Sequence, residues 1–298
     1  MSFVIATTLH EALSAMAAGA RPVAGGSDLV VGARQGRTPL PADLVAIDRL
    51  TELAEITYGP QGVSIGAVVS HHTITTHPLL VSDYSALADA SALVGSPSTR
   101  NVGTIGGNVM NASPAMDTGA PLLALGAVAE LSSLRGTRLV PLADLWLGPG
   151  LTSAAPDELC VAIHLPAPMP GSGSAYLRLE YRRAMEIAVV GASCAITLAS
   201  DGTVAAVRVA LTAVAPTIIE VASLDTLAGR PVSEVAVAAQ VAASAQAHPI
   251  SDLRASADYR RHSVGVMARR VVEAAARRAA GEHLPVPLNR TIGIGAAS

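Results

Sequence analysis

Two glycine pairs hold the residue types in this chain that could do chemistry. The first lies in Val23-Ala24-Gly25-Gly26-Ser27-Asp28-Leu29, after a predicted strand and at the opening of a predicted helix. Glycine tolerates positive φ and lets backbone approach a ligand closely, and a helix start offers unpaired N–H groups at its positive end. That combination suits a phosphate, and Ser27 adds a hydroxyl donor. Asp28 would repel a phosphate, so it reads as a helix cap or as a partner for ribityl or ribose hydroxyls. Such a strand–Gly-Gly–helix turn can equally be plain architecture. The second pair lies in Gly103-Thr104-Ile105-Gly106-Gly107-Asn108. Here Thr104 and Asn108 supply side-chain hydrogen bonds, and the glycines are expected to bare backbone N–H groups. Asp117 follows in Asn111-Ala112-Ser113-Pro114-Ala115-Met116-Asp117, as an acceptor for a polar ligand or as the cap of a turn-rich loop. Two such loops in one chain suggest two clamps on one pyrophosphate.

Composition removes other chemistries. All 20 basic residues are Arg, so neither a Lys Schiff base nor the Lys of a P-loop is available. No G-x-S-x-G or H-E-x-x-H occurs, and Gly293-Ile294-Gly295 stands too near the end to open a dinucleotide-binding helix. His71-His72 and His77 have no carboxylate or Cys at ligand spacing and read as a solvated turn. Cys160 and Cys194 sit in apolar runs and read as buried free thiols; two cannot supply the four thiolates of an iron–sulfur cluster or structural zinc. A net charge of -3 and seven aromatics leave neither a basic face nor stacking platforms for nucleic acid. The N-terminus lacks a signal-peptide pattern, and the longest uncharged apolar stretch, Ile187 to Ser200, falls short of the roughly 18 residues that span a bilayer. A cytoplasmic protein without membrane or nucleic-acid partners is expected.

The positioning elements follow from periodicity. Thr8 to Gly19 reads as an amphipathic helix, Arg21–Ala24 as a strand, Ser27–Arg34 as a helix and Leu44–Ile47 as a strand. A strand falls at Val63–Ala67, and a helix at Tyr84–Val94 with Ser82 as its cap. The segment from Gly95 to Asp117 reads as one long irregular loop, a length that marks function. Strands follow at Ala127–Leu131, Arg138–Leu142 and Leu159–Leu165, then a Pro/Gly/Ser linker at Pro166–Ser174. Beyond it come strands at Ile187–Leu198 and Thr203–Thr212 and helices near Ile218–Leu227, Ser233–Gln246 and Ser256–Ala280. The last is expected to dock Val264, Met267, Val271, Val272 and Ala275 on a sheet, with Arg260, Arg269, Arg270, Arg277 and Arg278 elsewhere around it.

At the two loops the sequence resembles the FAD-binding medium subunits of molybdenum hydroxylases, from about Phe3 to Arg278. Ala24-Gly25-Gly26-Ser27-Asp28 matches the family's first flavin loop, and Thr104-Ile105-Gly106-Gly107-Asn108 its second, continued by Asn111-Ala112-Ser113-Pro114 and Asp117. Arg182-Arg183-Ala184-Met185-Glu186-Ile187-Ala188-Val189-Val190 is a third match. The resemblance implies an α+β chain with a PCMH-type (vanillyl-alcohol-oxidase-like) FAD-binding fold. Its two α/β subdomains would span 1–54 and 55–170, followed by a C-terminal α+β domain over 175–282 and a tail over 283–298. It implies that Val23 to Leu29 and Thr104 to Asn108 wrap the FAD pyrophosphate and that Asp117 bonds the cofactor's polar part. Ile187 and Leu159 would lie by the isoalloxazine ring and Arg178 would touch the flavin, while Val94 replaces an aromatic that some relatives set against it. The partners implied are a large molybdenum-cofactor subunit and a small subunit with two [2Fe–2S] clusters, in a dimer of heterotrimers. Electrons would pass through FAD to NAD, a quinone, a carrier protein or oxygen. Ser27 stands where carbon monoxide dehydrogenase-type subunits usually have His, which favours a xanthine dehydrogenase-like or N-heterocycle hydroxylase. Two rivals remain: a self-contained FAD oxidase of the related fold, which would turn over substrate alone, and a scaffold subunit, which would carry no flavin.

Overall fold

The computed structural model describes residues 2–36 and 39–290. Alternating and continuous apolar runs form three main sheets among them. The first is parallel and three-stranded, with Asp43–Ala46 between Ser2–Ile5 and Arg21–Val23. Helix Leu9–Ala17 starts where the Thr8 hydroxyl accepts from the Glu11 amide, and it buries Ala12, Leu13 and Met16 as the sequence period predicts. Helix Ser27–Arg34 follows the strand Arg21–Val23.

The second sheet is antiparallel, in the order Ile56–Gly59, Gly62–Gly66, Leu159–Pro166, Val128–Ser133, Gly136–Pro141. Leu159–Pro166 is its central strand, and Leu159 to Ile163 are all buried, which is why that stretch is continuously apolar. Two local expectations change here. The helix expected over Tyr84–Val94 is a pair, Pro78–Asp83 and Ser85–Ser91, broken at Tyr84. Pro78 opens the first, and the Ser82 hydroxyl bonds the Leu79 carbonyl rather than capping anything. The segment from Gly95 to Asp117 holds helices Pro97–Val102 and Ile105–Asn111, capped by Ser96 and Thr104 hydroxyls. Helices this short show no readable period, so only their caps could have revealed them.

The third sheet is antiparallel, in the order Ser172–Leu179, Val190–Leu198, Val204–Thr212, Ile219–Glu220. The stretch expected as a linker over Pro166–Ser174 thus ends inside a strand. The helix expected over Ile218–Leu227 is instead a short edge strand and a 3-10 turn, because Ile219 and Glu220 pair with Leu211 and Ala210. Helices Val232–Gln246 and Ala257–Ala279 share a core with this sheet, and Val264, Met267, Val271, Val272 and Ala275 are buried in it. Gly173 permits that approach: a Cβ there would lie 2.4 Å from the Ala279 amide nitrogen. Two of the arginines set elsewhere around helix Ala257–Ala279 turn inward. Arg260 is buried and pairs with Asp252, and Arg278 pairs with the fully buried Asp89 of helix Ser85–Ser91. The described part of the expected tail is packed, with Leu284, Leu288 and Asn289 buried; residues 291–298, including Gly293-Ile294-Gly295, lie outside the described residues.

Candidate cofactor-binding site

Gly26 takes φ 66° and turns the chain from strand Arg21–Val23 into helix Ser27–Arg34. The helix ladder begins with Val30 donating to the Gly26 carbonyl at 2.9 Å. The amides of Ser27, Asp28 and Leu29, and the Ser27 hydroxyl, therefore have no acceptor among the described residues. Gly25 and Asp28 are exposed, while Val23, Ala24, Gly26, Ser27 and Leu29 are half-buried. A helix end in this state is a donor array waiting for an anion.

The second loop lies directly against the first. A Cβ on Gly25 would fall 1.7 Å from the Val102 carbonyl oxygen, and one on Gly103 would fall 3.7 Å from the Ser27 hydroxyl. The two glycine segments thus meet at the Gly25–Val102–Gly103 junction. The expectation of bare amides in the second loop does not hold for three residues. Ile105 donates to the Val69 carbonyl, Gly106 to the Ala67 carbonyl and Gly107 to the Thr104 hydroxyl. Gly106 is a packing glycine, with a Cβ position 2.6 Å from that of Ala67, whereas Gly107 is exposed. What the second loop can still offer is side-chain hydrogen. The Thr104 oxygen accepts from Gly107 and keeps its own proton to donate. Asn108 accepts from Thr118 through Oδ1 at 2.5 Å and keeps its NH2 group.

Asp117 and Arg178 meet inside the protein. Asp117 Oδ2 accepts from Arg178 Nη1 at 2.7 Å, and Oδ1 accepts from the Tyr176 hydroxyl at 2.8 Å. Arg178 Nε also donates to Glu180 at 2.9 Å, and its backbone amide donates to Asn289. Burial pushes the Asp117 carboxyl up, and Arg178 and the Tyr176 hydrogen bond oppose that. The Tyr176 hydroxyl is driven well above its ordinary range by burial and by Asp117. Arg178 is 0% exposed, so in this arrangement it presents nothing to a ligand in solvent. Its Nη1 reaches the Glu186 carbonyl at 3.3 Å, and through that contact it fixes the third motif.

The third motif runs beside the segment that leads into the second loop. Met185, at φ 53°, donates its amide to the Gly95 carbonyl, and Arg182 pairs with Glu186. Ile187 is 46% exposed, an apolar side chain available to a ring, while Leu159 is buried in the core beneath the first sheet. Val94 is half-buried and its carbonyl accepts from Arg100.

One residue of the junction departs from its sequence-based expectation. His71 is 1% exposed and not part of a solvated turn; His72 is exposed, and His77 stacks on Tyr58. The His71 amide donates to the Gly103 carbonyl, and Ser70 bridges Thr104. The signal that could have found it is the Ser70 cap of helix His71–Thr76, which turns the first histidine inward. Tyr176 escapes sequence reasoning because its strand begins inside the stretch that reads as linker. Both cysteines are buried, and burial pushes the Cys160 thiol up to about 12 and the Cys194 thiol higher. No described helix is long and apolar enough to cross a membrane.

Comparisons with known proteins show the family to which the chain belongs. The family described as the FAD binding domain in molybdopterin dehydrogenase matches residues 1–168, and the CO dehydrogenase flavoprotein C-terminal domain matches residues 175–275. The carbon monoxide dehydrogenase medium chain of Afipia carboxidovorans is 35% identical over 87% of this chain and 90% of its own. The xanthine dehydrogenase FAD-binding subunit of Escherichia coli O157:H7 is 30% identical over 94% of this chain and 98% of its own. Overall identity therefore does not favour the xanthine dehydrogenase side that Ser27 suggested. The solved carbon monoxide dehydrogenase of Hydrogenophaga pseudoflava superimposes with a TM-score of 0.88 at 31% identity, covering 93% of this chain and 98% of that one. The chain belongs to the FAD-binding medium subunits of the molybdenum hydroxylase family, and it is an oxidoreductase subunit.

Proposed function

We propose that this chain holds FAD at the Gly25–Val102–Gly103 junction and passes electrons from the [2Fe–2S] clusters of a small partner subunit to an external acceptor. Substrate hydroxylation would take place on a large molybdenum-cofactor subunit, the three chains forming a dimer of heterotrimers in the cytoplasm. The observation that carries the reading is the helix start at Ser27–Leu29, whose three amides lack acceptors among the described residues, set against a second loop whose Thr104 and Asn108 retain donors. Those groups suit a diphosphate: the helix end supplies N–H donors and a positive dipole, and glycine at 25 lets the two loops pack against each other around it. A flavin supplies the one chemistry this role needs, taking electrons singly and releasing them as a pair.

The remaining residues position and shield. Val23 to Leu29 and Thr104 to Asn108 form the two clamps. Ile187 offers an apolar face to the ring system, and Met185 stands beside it, also exposed. Asp117 and Arg178 act from behind: their ion pair ties strand Ser172–Leu179 to the segment after helix Ile105–Asn111, and Arg178 holds the Glu186 carbonyl next to Ile187. No proton transfer is asked of any side chain.

Co-expression with candidate large and small subunits tests the reading. Flavin at one equivalent per copy of this chain, together with molybdenum and four iron atoms per heterotrimer, is the expected outcome, with the flavin bleached by the complex's substrate. Loss of this chain should leave substrate able to reduce the iron–sulfur clusters but unable to reach the acceptor. Purified chain that carries flavin and turns over a substrate unaided would overturn the reading in favour of an oxidase, and a complex without flavin would make the chain a scaffold.

A further inference from the structure

The strongest unassigned feature of the site is the buried imidazole of His71, packed beneath the junction. Its backbone donates to the Gly103 carbonyl at 3.1 Å. Its Nδ1 stands 3.5 Å from the Ser91 hydroxyl, a long contact but the ring's one hydrogen-bond contact among the described residues. The opposite edge of the ring faces Gly103: Cδ2 lies 3.4 Å from the point a Cβ would occupy there. The Ser27 hydroxyl approaches the same point to 3.7 Å. Cδ2 is bonded to Nε2, which puts Nε2 one bond beyond the ring atom nearest the place where the two loops meet. Nε2 has no partner among the described residues, in a side chain that is 1% exposed.

Nε2 is not one of the unpartnered side-chain atoms sealed from solvent, so the little exposure the ring keeps reaches this nitrogen and leaves it open to a ligand. Burial, with Arg100 nearby, pushes the imidazole down to about 4, so the ring carries one proton at neutral pH. A Ser91 hydroxyl that donates to Nδ1 leaves that proton on Nε2, the tautomer the proposal requires. A neutral ring suits its place, since a charged one would be buried beside the Arg100 guanidinium without a counter-ion.

We propose that His71 is a further cofactor-binding residue, donating its Nε2–H to an anionic oxygen of the diphosphate held between Ser27 and Gly103. The inference rests on the flavin reading above and extends it to a side chain from helix His71–Thr76, outside both glycine loops. Glycine at 103 keeps a Cβ off the Thr99 carbonyl, 3.0 Å from its place, and also leaves the space beside the imidazole open.

The experiment uses the full chain stripped of flavin and titrated with FAD, followed by flavin fluorescence and by the imidazole 15N–1H resonances of the wild type. His71→Phe keeps a ring and removes the donor, whereas His71→Gln keeps an N–H at similar reach. His71→Phe should raise the Kd for FAD about tenfold or more, and His71→Gln should stay within about threefold of wild type. The His71 Nε2–H resonance should move on addition of FAD and also of inorganic pyrophosphate. If His71→Phe melts like wild type and binds FAD equally well, the proposal is overturned while the flavin reading stands. The wild-type resonance decides the matter even if His71→Phe fails to fold: a signal unmoved by saturating FAD, while the Ser27–Leu29 amides shift, overturns it too. A wild-type chain that binds no FAD removes the flavin reading and this inference together.

Discussion

At the scale of single residues, the two glycine loops are not equivalent, and substitutions should separate their roles. Gly25 has no room: a Cβ would meet the Val102 carbonyl at 1.7 Å, so Gly25→Ala forces the loops apart. Overpacking of this kind costs about 1–3 kcal/mol, so the variant should lose flavin and also melt several degrees lower. Gly107 is exposed, and a Cβ there would meet only the Thr104 hydroxyl, at 2.9 Å. Gly107→Val should therefore keep the melting temperature near wild type while flavin retention falls, because its side chain stands over the ligand's place and displaces the Thr104 donor. The ratio of flavin absorbance to protein absorbance, read with a thermal melt, checks both. His71 adds a pH dependence with a definite sign. Its folded pKa of about 4 lies below the ordinary value of 6.5, so between those pH values the unfolded chain binds the proton that the fold refuses. Stability contributed by the neutral ring is complete above about pH 6.5 and is lost as pH falls toward 4, by about 3 kcal/mol at most. Urea titrations at pH 7 and pH 4.5 should show that loss in wild type, and His71→Phe should lack it.

At the scale of elements, legibility followed the length of the period. Helices Leu9–Ala17, Val232–Gln246 and Ala257–Ala279 were plain in the sequence, since each repeats its apolar face over two or more turns. Helices Pro97–Val102 and Ile105–Asn111 were hidden, being hardly longer than their caps, and strand Ser172–Leu179 was masked by the Pro/Gly/Ser stretch that leads into it. The glycine loops were legible because two such pairs stand in one chain, each beside side-chain donors, where one alone could be plain architecture. Which amides remained free was not, because Ala67 and Val69, which accept from Gly106 and Ile105, come from a distant strand end. Asp117 shows the same limit. Read alone it is an acceptor for a ligand, yet both its oxygens are taken by Arg178 and Tyr176. Asp117→Ala should therefore act through stability more than through a lost ligand contact. Breaking one partner of a buried pair costs about 3–5 kcal/mol, whereas Asp117→Asn keeps an acceptor for Tyr176 and should cost less. Equal melting temperatures for the two variants would show that the pair does not carry this load.

At the scale of the molecule, a second buried charge, Asp89, joins the Asp117–Arg178 pair in locking the third sheet to the second. Asp89, in helix Ser85–Ser91, accepts from Arg278 at 2.6 and 3.1 Å, from the Leu288 amide at 2.8 Å and from the Tyr176 amide at 3.2 Å. One carboxylate thus gathers the long C-terminal helix, the segment after it and the strand that leads to Arg178. Burial pushes the Asp89 carboxyl up, against the pull of Arg278 and the two amides, so its charge depends on these partners. With this lock in place the sheets should unfold together, the more so because Tyr176 and Ala210 of the third sheet are buried in the second sheet's core. Trp146, the one tryptophan, belongs to the core of the second sheet, so its fluorescence reports that unit, while far-ultraviolet circular dichroism reports all of them. In urea the two signals should coincide for wild type. Arg278→Leu leaves Asp89 buried without its cation, at a cost of about 3–5 kcal/mol, and should lower the midpoint and part the two curves. Asp89→Asn combined with Arg278→Leu should recover part of the midpoint, because no uncompensated charge then remains inside. Coincident curves and an unchanged midpoint in Arg278→Leu would mean that apolar packing alone joins the sheets, and that the third motif is held in register with the glycine loops by Asp117 and Arg178 without help from Asp89.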